Sequence, residues 1–130
     1  MSYRSIIVAA GICLMAGVST AQTARTARLM REKLLHTQRI LAALTTSDYG
    51  LLRRETQALT TITKTPEWSE LITPDLRPYT TGFSKALADL SAASERNDYD
   101  TAGAAYGALT TACIQCHKHV ARSRIAATPR

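Results

Sequence analysis

Cys113, Cys116 and His117, in the stretch CIQCHKHV, are the residues whose types and spacing promise specific chemistry. On a helix, positions i, i+3 and i+4 share one face. Two sulfurs so placed can bond the two vinyl groups of a porphyrin while the imidazole reaches its iron, and C-x-x-C-H is the spacing of c-type haem attachment. The expectation is therefore one covalent haem c, with thioethers at Cys113 and Cys116 and His117 as the proximal iron ligand. Three rivals fit less of the pattern. A structural zinc site needs four ligands, and beyond this group only His119 and His36 remain as further histidines. A thioredoxin-like dithiol needs a βαβ context that is absent here. A plain disulfide leaves the adjacent histidine without a role.

The N-terminus says which compartment these thiols meet. After Arg4 runs SIIVAAGICLMAGV, followed by STAQ with small residues at Ser19 and Ala21. This is the pattern of a secretory signal peptide over residues 1–21, and the apolar run is shorter than the roughly 20 residues of a spanning helix. Cleavage would remove Cys13 and leave Cys113 and Cys116 as the cysteines of residues 22–130, in an oxidising periplasm. Loss of Arg4 takes the formal charge from +6 to +5. That basicity is scattered (RTARLMRE, LLRRE, ARSR) without interleaved aromatics, which argues against a nucleic-acid groove and leaves solvated helix faces, with a steering field for an acidic partner as the functional alternative.

Four helical windows must position the motif. The first, roughly 23–45, carries a seam of Met30, Leu34, Thr37, Leu41 and Leu44, with His36 pointing away. The second begins at Ser47 or Asp48 and presents Leu51, Leu52, Ala58, Leu59 and Ile62, with Glu55 oddly placed among them, either at the wet end of the stripe or accepting from an arginine. Residues 65–78 hold three prolines and form the long connection, with Trp68 folded back as a lid. The third helix starts near Pro78 and buries Tyr79, Phe83, Ala86, Leu87 and Leu90. Asp98 caps the fourth, whose inward stripe is Ala102, Tyr106, Leu109, Cys113, Cys116, His117 and Val120, while His119 turns to solvent. The expected fold is all-α, an antiparallel four-helix bundle around the haem.

The order helix, helix, proline-containing link, helix, then Y-x-x-L-x-x-x-C-x-x-C-H resembles the cytochrome c-prime family and its low-spin relatives, including the four-helix b-type cytochromes. LMREKLLHTQRILAAL, TGFSKALADL and NDYDTAGAAYGAL are similar to that family's first, third and fourth helices. The resemblance implies a periplasmic haem protein, often a homodimer, that transfers electrons or binds small gases. The chain departs from the family pattern after the motif. Val120 and Ala121 stand where an aromatic residue and an arginine are common, and Arg122 comes one position later.

The sixth iron position decides between the two activities. Met30 and His117 sit at matching depths on antiparallel first and last helices, which makes Met30 the candidate distal ligand; the family's distal residue falls in the same part of the first helix. Leu34, one turn on, becomes a haem wall. With Met30 bonded, the expectation is a non-enzymatic carrier of single electrons between redox partner proteins. With Met30 only packed, as methionine often is in apolar gaps, it is a five-coordinate haem protein that binds nitric oxide or carbon monoxide. No inward distal histidine or arginine points to peroxidase-like catalysis.

Overall fold

The computed structural model describes the backbone of residues 3–127, with side chains for 21–124 and 126. The signal-peptide expectation thus falls, but for Ala21, on residues whose side chains lie outside that description. Every regular element among the described residues is an α-helix: α1 (Tyr3–Thr46), α2 (Tyr49–Ile62), α3 (Pro66–Glu70), α4 (Arg77–Glu95) and α5 (Tyr99–Ala127). No helix among them is long and apolar enough to cross a membrane.

Two tight turns built alike connect the helix pairs α1/α2 and α4/α5. At each, one residue takes a left-handed conformation, Ser47 at φ 56° and Asn97 at φ 54°. The next amide reaches back to close the preceding helix, Asp48 N to Ala43 O and Asp98 N to Ala93 O, both at 3.0 Å, which is the Schellman way of satisfying terminal carbonyls. The same aspartates then start the following helix. Asp48 Oδ1 accepts from Leu51 N at 2.8 Å and Asp98 Oδ1 from Thr101 N at 3.0 Å, so S-D-Y and N-D-Y each end one helix and cap another. Tyr49 and Tyr99 stack with ring centroids 4.2 Å apart, and Arg53 donates to Asn97 at 2.7 Å. The two turns therefore lie side by side. Because α1 ends at this Tyr pair and α5 begins there, α1 and α5 run antiparallel.

The core joins Leu29, Ile40 and Ala43 of α1 to Leu52, Leu59 and Ile62 of α2, Phe83, Leu87 and Leu90 of α4, and Ala102, Leu109 and Ala112 of α5. Packing is extensive between α4 and α5, between α1 and α2 and between α2 and α4, but α1 and α5 meet only over a short stretch. The proline-rich connection contains α3, started by Pro66 and capped by Thr65, whose hydroxyl accepts from Trp68 N at 3.3 Å. Trp68 is buried against Phe83, centroid to centroid 5.3 Å, and acts as the expected lid.

The phase of α1 differs from the expected seam. Leu29, Ile40 and Ala43 are buried, whereas Leu34 and Leu41 are 57% and 47% exposed and Met30 is half-buried. His36 does not point away: its Nδ1 donates to Glu55 Oε2 at 2.6 Å, and Arg39 Nη1 stands 3.6 Å from the other carboxylate oxygen. The inward face therefore reads Leu29, Lys33, His36, Ile40, Ala43, a helical stripe with two polar residues inside it. The physical reason is that α2 brings a buried carboxylate, and a histidine facing it satisfies both groups. Glu55 is thus explained: it ties α2 to α1.

Candidate functional site

The sulfurs of Cys113 and Cys116 lie well inside the 29-residue helix α5, half-buried and not joined in a disulfide. Burial pushes both thiols above their ordinary range, and the nearby Lys33 ammonium only partly offsets it. Both are protonated at neutral pH. A redox dithiol needs the opposite, a thiolate stabilised at a helix N-terminus or by a dominant cation, so thioredoxin-like reactivity does not suit this pair.

Lys33 crosses from α1 toward the thiols. Its Nζ sits 3.8 Å from the centroid of Phe83 and 4.2 Å from that of Trp68. Desolvation lowers its pKa from 10.5 to about 8, with the charges of Cys113 and Cys116 pulling weakly the other way. Nothing in the apolar periodicity announced this, because a lysine on a helix is ordinarily assigned to solvent. The aromatic pair beneath it is the signal that sequence reading missed.

His117 is exposed rather than inward, while His119, expected in solvent, is half-buried. His119 packs on Tyr79 with ring centroids 5.0 Å apart, and its Nε2 lies 3.5 Å from Asp75 Oδ2. Asp75 is held below the usual carboxylate range, first by the Thr73 hydroxyl donating at 2.6 Å and also by His119. The cause of the exchange is helical phase. Cys113, Cys116 and Val120 continue the stripe of Ala102 and Leu109, and the two histidines fall on opposite flanks. His119 takes the flank toward α4, and His117 falls on the other, exposed flank.

The same geometry orders α1. At about 100° per residue, Met30, Leu41 and Leu34 follow the inward stripe by about 120°. His36 faces α2 and Lys33 faces the α5 thiols, which puts this second apolar flank on the α5 side. Leu34 and Leu41 on this flank and Ile114 of α5 are exposed, the last to 54%, and so is Leu35 on the opposite flank of α1. Cys113 and Cys116 are half-buried, His117 is exposed, and Met30 is half-buried one turn from Lys33.

No group of three or more His, Cys, Asp or Glu side chains gathers to hold a metal ion among the described residues. Compared with protein-family models, with characterised proteins and with solved structures, the chain finds no match.

Proposed function

We propose that this chain is a periplasmic c-type cytochrome, an antiparallel four-helix bundle that carries one covalent haem c and passes single electrons to and from redox partner proteins. The observation that carries the reading is the C-x-x-C-H register on α5: two half-buried thiols not joined in a disulfide and an exposed imidazole follow one another along the helix. Leu34 and Leu41 of α1 and Ile114 of α5 are exposed apolar side chains that a flat apolar group would cover if seated against them.

The residues present suit that group. Cys113 and Cys116 would hold it by thioethers, His117 would bind its iron, and Leu34 would wall it; Met30, half-buried on α1, would offer a second, soft thioether donor. The haem supplies a one-electron iron couple, and the protein supplies the ligands and the low-dielectric wall that set its potential. Arg25, Arg28 and Arg31 in the middle of α1 and Lys118 and Arg122 late in α5 are exposed, basic residues suited to steering an acidic redox partner.

The gas-binding alternative is favoured by one observation, the position of Met30 on a flank beside the exposed Leu34. There the leucine can cover the distal iron face without any bond to sulfur. The visible spectrum of the ferrous protein distinguishes them. Sharp low-spin bands unmoved by carbon monoxide support the carrier, and a broad high-spin spectrum that shifts with the gas supports the binder.

A further inference from the structure

We propose that Gln22 is a modification site: as the first residue of the exported chain it closes on its own side chain to a pyroglutamyl lactam, with Glu70 carrying the proton. The inference rests on the export and signal-cleavage part of the reading above, and not on the haem. Removal of residues 1–21 after Ala21 turns Gln22 from an interior residue into the amino terminus. A free α-amine on glutamine can reach the amide of the same side chain through an unstrained ring.

The fold puts a carboxylate at the atom that must leave. Gln22 Nε2 donates to Glu70 Oε2 at 2.6 Å. This contact follows from the phase of α1: at about 100° per residue, Gln22 lies within about 20° of both Leu29 and Lys33, on the inward stripe. Against that stripe α3 is fixed, because Trp68 is buried and the Lys33 ammonium sits 4.2 Å over its ring. Glu70 is the last residue of α3, two after Trp68, so the anchored indole holds the carboxylate opposite Gln22. Both Gln22 and Glu70 are exposed, which leaves the departing ammonia an open path to solvent.

An α-amine titrates close to neutrality, so roughly one in ten is unprotonated at pH 7. Its lone pair attacks Cδ of the same residue and forms the N–Cδ bond. Glu70 takes a proton from that nitrogen and delivers one to Nε2, whereupon the Cδ–Nε2 bond breaks and ammonia leaves. One amide is exchanged for another, so no oxidant, reductant or water is consumed and Glu70 ends as it began. The product also suits its position, since the lactam is uncharged whereas an ammonium at the start of a helix opposes the helix dipole.

The test uses the full chain exported by a host that lacks glutaminyl cyclase, as wild type, Glu70→Gln and Glu67→Gln. Glu70→Gln keeps an oxygen that can accept from Gln22 but cannot carry a proton, and Glu67→Gln removes the other carboxylate of the same short helix. Protein is collected at successive times after a pulse of synthesis, and its N-terminal peptide is weighed. Wild type and Glu67→Gln should begin at Gln22 and become lighter by one ammonia, while Glu70→Gln should form the lactam about a hundredfold more slowly. A wild-type Gln22 that keeps its free amine overturns the proposal, as does a Glu70→Gln chain that cyclises at the wild-type rate or is matched by Glu67→Gln. If the chains do not begin at Gln22, the signal-cleaved reading fails and takes this inference with it. Haem mass on the peptide carrying Cys113 and Cys116 is read in the same samples, so the haem reading stands or falls separately.

Discussion

Replacing Lys33 by methionine should stabilise the chain before any haem is attached, and by an amount that depends on pH in a defined direction. In the folded chain the Lys33 pKa falls from 10.5 to about 8, chiefly by desolvation. At about 1.4 kcal/mol per pH unit, holding the ammonium inside costs about 3 kcal/mol at pH 7 relative to an unfolded chain in which it is solvated. Below pH 8 both states bind the proton and the cost is complete. Between pH 8 and 10.5 the unfolded chain holds the proton while the folded chain has released it, so the Lys33 contribution to stability rises with pH across that window, against the opposite trend of the two raised thiols. Above 10.5 neither state carries the charge. The methionine variant lacks this dependence while retaining the titrating thiols. Urea unfolding of both proteins, made without haem maturation and kept reduced, should therefore show Lys33→Met ahead by about 3 kcal/mol at pH 7, with the gap closing as pH rises above 8. The attraction of the ammonium to the two rings offsets part of that gap at pH 7, and a gap that widens as pH rises above 8 would refute the desolvation of Lys33.

Leu34→Asp should separate haem retention from folding: with 57% of Leu34 exposed, the unloaded chain should change by no more than about 0.5 kcal/mol, while haem yield and resistance of the loaded protein to unfolding fall. Ser47 adopts φ 56°, a conformation that suits glycine, so Ser47→Gly should raise stability by about 0.5–1 kcal/mol in chemical denaturation, and a loss of stability would contradict the left-handed turn. Thr56 is buried with its hydroxyl unpaired among the described residues. Thr56→Val keeps its shape and removes that group, and should gain about 1 kcal/mol by the same assay.

What the sequence made legible were features fixed by local chemistry. Asp48 and Asp98 announced helix starts because a short carboxylate before an apolar run satisfies amides that nothing else can reach. Pro78 marked the beginning of α4 because a ring without an N–H costs nothing in the first turn. The C-x-x-C-H spacing is plain in the sequence, but of the three side chains expected to face inward His117 is exposed and only Cys113 and Cys116 are half-buried. The rotation of α1 was not legible, since its apolar residues cover about half its circumference and the inward half is completed by Lys33 and His36. Those two face inward because of partners on other helices: the Glu55 carboxylate for one, the Phe83 and Trp68 rings for the other. The burial of His119 depends in the same way on Tyr79 and Asp75, and α3 is too short to show any period. Met30 and Leu34 remain site candidates, but as the uncovered flank of α1 and not as its core seam.

The central claim is a haem bonded through both thiols, and mass spectrometry of the secreted protein tests it most directly. Purified from a maturation-competent host and denatured in acid, the polypeptide should carry the added mass of one haem. Cys113→Ser/Cys116→Ser should lack it. A wild-type polypeptide at its bare mass, with two sulfhydryls still open to alkylation, would contradict the account.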